Sequence, residues 1–194
     1  MQKQSLIGGF SDAPKQSAQA FRAAMNAMAR PGRLFEITGA QPPVPLSVAG
    51  GALVLTLADT DTPLFLAPSH DVPEIRDWIA FHTGAPIVPA AEAMFALGDW
   101  SALQPLDQFA IGTSQYPDRS ATLIVEQPLL KNTGAALSGP GIEHQHHLNL
   151  PDLQPFQNNA MLFPLGLDFY FTAGTQIAAL PRSTQVTPAL QESV

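Results

Sequence analysis

The amino-acid sequence predicts an α/β domain: a mixed β-sheet with helices on both faces. Stretches of helical periodicity alternate with short apolar runs of strand length, the pattern that places helices against a sheet. Gly174-Thr175 separates two apolar runs, with glycine where a tight hairpin turn wants it, so an antiparallel pair joins the sheet. Neither an internal repeat nor a long linker divides the 194 residues. A single domain over residues 1–194 is therefore expected, with a frayed tail from about 188 to 194.

The elements follow in chain order. Residues 14–29 read as the first helix, with Ser11 or Asp12 as its cap and Ala18, Phe21, Met25 and Met28 on one apolar stripe. Pro31 and Gly32 end it, because proline cannot continue the ladder and glycine accepts positive φ. Residues 33–37 alternate as a short strand, and 41–45 form a proline-rich loop. A second helix is expected over 47–58, apolar nearly all round and therefore buried. A strand at 63–67 precedes a helix from 73 to about 83, with Asp71 as candidate cap and Gly84 as its stop. Strands are expected at 86–88 and 93–97, and a short helix, broken by Pro105, at 101–109. Beyond Gly112 strand signals dominate: 121–126, 135–138, an alternating run over 142–150, and 167–173 paired with 176–180. A last helix is expected over 153–162.

Charge is scarce. Charged residues make up 13% of the chain, against roughly 25% in ordinary globular proteins. Nine Lys and Arg and sixteen Asp and Glu must cover a monomer surface on the order of 9,000 Å². Some of that surface is expected to be covered by other chains, since sparse charge leaves apolar area that association buries. The net charge of −7 argues against nucleic acid, whose phosphates demand a basic face. Cysteine is absent, which removes disulfides, thiolate nucleophiles and thiolate ligation of iron–sulfur clusters. No signal-peptide core or membrane-spanning run is visible, so a cytoplasmic location is expected.

Several side chains invite a chemical reading. On a strand, His144 and His146 of Glu143-His144-Gln145-His146-His147 would share a face, as metal ligands can. Ile142, Leu148 and Leu150 would share that face too, and no second cluster has ligand spacing; packing is the preferred reading and no metal is expected. Arg30, Arg33, Arg119 and Arg182 lie beside glycine, proline or serine, where a planar fork can meet an anion or close a turn. Gly139 and Gly141 let backbone amides approach a phosphate, or make a tight turn, which is preferred. Asp59 and Asp61 read first as a polar turn, and Asp168 as a buried carboxylate accepting backbone N–H groups. Neither a nucleophile elbow nor a phosphate-binding glycine–lysine loop is present.

Four glycine- and proline-broken motifs remain. They are Phe21-Arg22 with Ala27-Met28-Ala29-Arg30-Pro31-Gly32; Leu137-Ser138-Gly139-Pro140-Gly141-Ile142; Phe163-Pro164-Leu165-Gly166-Leu167-Asp168; and Leu180-Pro181-Arg182-Ser183-Thr184. In this order and spacing they resemble the PhnH family, a subunit of the bacterial carbon–phosphorus lyase system of phosphonate breakdown. Matches at Leu55-Thr56-Leu57-Ala58-Asp59-Thr60-Asp61-Thr62-Pro63, Gly112-Thr113 and Ser120-Ala121-Thr122-Leu123-Ile124 extend the likeness along nearly the whole chain.

The resemblance implies a fold similar to the large domain of pyridoxal-phosphate-dependent transferases, reduced and without the cofactor. The residues agree: Lys3 and Lys15 lie at or before the first helix and Lys131 in a turn-like stretch, none well placed for a Schiff base. It implies work in a multi-subunit core complex that attaches phosphonate to ribose from a purine nucleoside triphosphate, giving α-D-ribose 1-methylphosphonate 5-triphosphate. Without cysteine, this chain is not the radical subunit that later breaks the carbon–phosphorus bond. Arg22 and Arg182, inside the matching parts, become the preferred anion-binding candidates, with Gly139 and Gly141. Two readings follow: an accessory subunit, homodimeric alone, docking on the other core subunits and meeting phosphonate or nucleotide through them; or a stand-alone enzyme or binding protein for a phosphorylated small molecule, using Arg22 and Arg182 or the histidine strand.

Overall fold

The computed structural model describes residues 7–189. Lys3 and the tail from Leu190 onward, including most of the expected frayed end, lie outside them. The elements are α1 (Ala13–Ala29), β1 (Phe35–Glu36), α2 (Val48–Leu57), β2 (Leu64–Leu66), α3 (Pro73–His82), β3 (Phe95–Asp99), β4 (Thr122–Glu126), β5 (Ala135–Ser138), β6 (His146–Leu148), α4 (Gln154–Met161), β7 (Asp168–Ala173), β8 (Gln176–Leu180) and β9 (Gln185–Thr187).

Six strands form one mixed sheet in the order β1-β8-β7-β4-β3-β2. β2, β3, β4 and β7 run parallel, with Leu64 opposite Phe95, Phe95 opposite Thr122, and Thr122 opposite Asp168. β8 returns antiparallel to β7 through the Gly174-Thr175 turn, and β1 lies antiparallel along β8. The central strands are apolar on both sides, as parallel strands covered twice must be. On one face Leu64, Leu97, Ile124 and Ile177 meet Ala24, Leu53, Ile75 and Trp78 from α1, α2 and α3. On the other, Leu123, Val125, Phe169 and Phe171 meet Phe156 of α4 and a second, three-stranded sheet of order β6-β5-β9. Phe156 is the hub of that layer, its ring 5.0 Å from Phe169, 5.7 Å from Phe171 and 4.7 Å from Trp100.

Local chemistry explains the boundaries. Ser47 caps α2, its Oγ accepting from the Gly50 N–H at 2.9 Å, an interaction worth about 1 kcal/mol. Gly84 closes α3 at φ +70° and Gly174 makes the hairpin turn at φ +57°, values that carry no penalty only in glycine.

Five expectations need correction. The stripe of α1 is turned around: Ala20, Ala24 and Ala27 are buried, while Phe21 and Met25 are exposed, because the small residues let α1 approach α2 and β8 closely. Asp71 does not cap α3; Val72 holds that position, and the Asp71 carboxylate accepts from Arg76, one turn on, at 2.9 Å. Residues 101–109 form a turn and one 3-10 turn, Leu106–Gln108, since Pro105 removes a ladder donor. Residues 86–88 contribute only a bridge between Ile87 and Leu64. The alternating run over 142–150 narrows to β6, because residues before it are spent on turns at Gly139 and Gly141, leaving His144 outside the strand. β9 is an element the sequence did not announce: three residues with a single apolar side chain, Val186.

Candidate functional site

The motif segments converge where the two sheets meet. Gly141, at φ +82°, lies so close to the end of α1 that an added Cβ would stand 2.1 Å from the Ala29 carbonyl oxygen. Gly139, at φ +128°, lies against the Ser183 carbonyl on the β8–β9 connection. Gly32 lies against Leu137 of β5 and His146 of β6, and its N–H donates to the Ala179 carbonyl of β8 at 3.2 Å. Asn132 donates to both the Gly32 carbonyl, at 2.5 Å, and the His147 carbonyl, at 3.1 Å. Only glycine combines that backbone with that proximity.

His146 belongs to this joint. Its Nδ1–H donates to the Pro31 carbonyl at 2.7 Å, and its Nε2 accepts from the Arg33 Nε–H at 3.4 Å; the partners fix the tautomer, since a carbonyl only accepts. His144 is exposed beside Glu143. The strand face that would have paired the two histidines does not form.

Arg182 and Asp168 make a second joint. The Asp168 carboxylate accepts from the Arg182 backbone N–H at 2.8 Å and from its guanidinium Nε at 3.1 Å, with Nη2 closing the fork. Nη2 also donates to Ser120 Oγ, and Nη1 to the Pro117 carbonyl at 2.7 Å. The guanidinium thus ties β7, the end of β8 and the 113–120 loop together, each of its three nitrogens donating to a protein acceptor. Arg22 stands apart, exposed on α1. Of the four anion-binding candidates, Arg182 lies on the β8–β9 connection and Gly139, just after β5, packs against it, Gly141 touches the end of α1, and Arg22 is brought to none of them by any hydrogen bond among the described residues.

In open α/β sheets, ligands take the crevice beyond the carboxyl ends of the parallel strands. Here Glu126, the last residue of β4, occupies it. Its Oε1 accepts from the Ser47 Oγ–H at 2.8 Å and the Ser47 N–H at 3.2 Å, at the amino end of α2. Gly50 leaves the room: a Cβ there would stand 2.1 Å from Glu126 Oε1. Burial pushes the Glu126 carboxyl up to about 7, against the downward pull of the Ser47 donors. Next along the edge, Ser69 Oγ accepts from the Asp99 N–H at 3.1 Å and bonds His70 Nδ1 at 2.9 Å. Burial holds the His70 imidazole below its ordinary range, opposed by the nearby Asp99 charge. A helix amino end attracts anions; this one is already filled by the chain's own carboxyl group.

On the opposite face lies a groove of about 580 Å³ between the Leu106–Gln108 turn and α4, with Leu106, Phe109, Ile111 and Leu167 among its walls. The charged side chains lining it are Asp107 and Asp152. A polyanion would meet two carboxylates and no cation there.

Sequence reasoning anticipated Asp168 as a carboxylate accepting a backbone N–H. It missed the Arg182 partnership, and it missed Glu126 altogether. The one signal for Glu126 was a carboxylate ending a run of buried strand residues.

These features define a class: an α/β domain whose carboxyl edge is closed by its own side chains, and whose glycine turns join a second sheet to the first. Residues 8–187 match the family described as bacterial phosphonate metabolism protein (PhnH). The chain belongs to that family. It is 40% identical over 194 residues to the "Alpha-D-ribose 1-methylphosphonate 5-triphosphate synthase subunit PhnH" of Rhizobium meliloti (strain 1021), covering 95% of this chain and 97% of that protein. It is 30% identical over 187 residues to the "Putative C-P lyase subunit protein HtxG" of Stutzerimonas stutzeri, covering 90% and 87%.

Proposed function

We propose that this chain is a subunit of the synthase that forms α-D-ribose 1-methylphosphonate 5-triphosphate in phosphonate catabolism, contributing contact surface rather than chemistry. The names of its two relatives support membership of a multi-subunit system. One observation carries the non-catalytic half of the reading: Glu126 fills the amino end of α2 at the carboxyl edge, where an open α/β sheet would otherwise take a phosphate. Arg182 is committed to Asp168, and the charged side chains that the described groove presents to a triphosphate are both carboxylates, Asp107 and Asp152.

The same reading makes the fold a reduced pyridoxal-phosphate transferase domain without its cofactor. In support, Lys15 is exposed on α1 and Lys131 is exposed in the loop after β4, neither lining the groove. A cytoplasmic homodimer is part of the proposal, supported by low charge and by large exposed apolar side chains such as Val44 and Met161. Among the described residues no helix is long and apolar enough to cross a membrane.

The test is reconstitution with methylphosphonate and a purine nucleoside triphosphate. The purified chain is expected to give no product alone, while the sister subunits lose product formation when it is left out. Turnover by the isolated chain would overturn the reading.

A further inference from the structure

We propose that the outer face of α1 is the docking surface for another protein chain, and that the partner presents an acidic, partly apolar patch to it. The inference rests on the subunit reading above and adds which surface is used and what it meets. Phe21 and Met25 are 50% and 54% exposed. They lie one turn apart, with Ala18 one turn before Phe21, on an apolar stripe that this chain leaves half exposed. The helix needs none of them for its own packing, because the alanines of the opposite face supply it.

Charge identifies the occupant. Lys15, Arg22, Arg30 and Arg33, four of the nine cations of a chain with net charge −7, fall in residues 13–35, a stretch without a single Asp or Glu. The ion pairs among the described residues are Arg76–Asp71, His144–Glu143 and Arg182–Asp168, so none neutralises these four. A second copy of this chain is a poor match, since a two-fold contact sets the same patch against itself and cation would face cation. Carboxylates around an apolar spot on a different subunit complement both features, the apolar pair supplying the anchor and the cations orientation and encounter rate.

The experiment uses the full chain with its co-expressed sister subunits. Phe21→Ser with Met25→Ser, and separately Arg22→Glu with Lys15→Glu, are expected to keep the wild-type melting temperature within a degree or two, since the altered side chains are exposed. Each pair is expected to weaken capture of the sister subunits about tenfold or more, with the residual binding of the charge-reversed variant losing its salt dependence. Wild-type capture by both variants overturns the docking surface and leaves the subunit reading standing. Failure of the wild-type chain to capture any sister subunit overturns both. Conversion of a wild-type dimer to a monomer by the serine variant assigns the stripe to a second copy and overturns the hetero-partner.

Discussion

A carboxyl group buried against a helix end makes Glu126 the most informative single residue for solution measurements. Its folded-state pKa of about 7 lies above the ordinary 4.5. Below pH 4.5 the group is protonated folded or unfolded, and its contribution is fully present. As pH rises from 4.5 to 7 the unfolded chain gives up the proton while the folded chain retains it, so stability falls, by roughly 3 kcal/mol in all. Glu126→Gln removes the titration but keeps an oxygen for Ser47. The variant is expected to gain on the wild type progressively from pH 5 to pH 8 in thermal melts; parallel curves would show that Glu126 ionises normally. Arg182→Met leaves the partly buried Asp168 without its counter-ion and is expected to cost about 1–3 kcal/mol in urea denaturation. Arg182→Lys should recover only part of this, since an ammonium cannot make the planar fork to Asp168 while also reaching Ser120 and Pro117. Full recovery by lysine would reduce the joint to simple charge.

Among the elements, those with strong periodicity or firm punctuation were legible in the sequence. α2, α3, β4, β5, β7 and β8 fall within a residue or two of their expected bounds, because buried apolar runs, Pro73, Gly84 and Gly174 leave few alternatives. The rotation of α1 was not legible. Ala20, Ala24 and Ala27 recur with the same helical spacing as Phe21, Met25 and Met28, so period alone gives two candidate faces, and side-chain size points to the wrong one. Close approach to α2 and β8 decides it. Glu126 and Ser47 are 79 positions apart, so no local pattern could join them. Arg182 and Asp168 were each visible, but their pairing depends on β8 folding back along β7. α4 illustrates how much one short element can carry: eight residues long, it brings Phe156 into contact with Trp100, Phe169 and Phe171. Phe156→Ala is expected to cost about 3–5 kcal/mol and to collapse the near-ultraviolet circular dichroism of the cluster. Phe163→Ala, just beyond the helix and 60% exposed, should stay within about 0.5 kcal/mol. Equal effects at the two positions would mean that α4 does not seat this layer.

At the scale of the whole molecule, the question is whether two sheets make one cooperative unit. The small sheet has three strands of three or four residues, too little to stand alone in water. Its inward side chains, Leu137, Leu148 and Val186, share a single core with Phe156, Phe169 and Phe171. Close approaches at Gly32, Gly139 and Gly141 add to that shared core, so part of the small sheet's stability is borrowed through positive-φ positions where a side chain is strained. Gly141→Ala tests this borrowing. A methyl group there would stand 2.1 Å from the Ala29 carbonyl, in a backbone at φ +82°, and the sheet must shift away from α1 to admit it. If the sheets are one unit, the variant loses roughly 2 kcal/mol or more, and its denaturation keeps a single transition at a lower midpoint by both far-ultraviolet circular dichroism and tryptophan fluorescence. The two tryptophans report on different layers: Trp78 lies in the α1–α3 core, Trp100 in the Phe156 cluster. Two transitions, with the Trp100 environment lost first while Trp78 stays buried, would make the second sheet an independently melting module. In that case the glycine turns at Gly32, Gly139 and Gly141 would serve a movable joint rather than a fixed one.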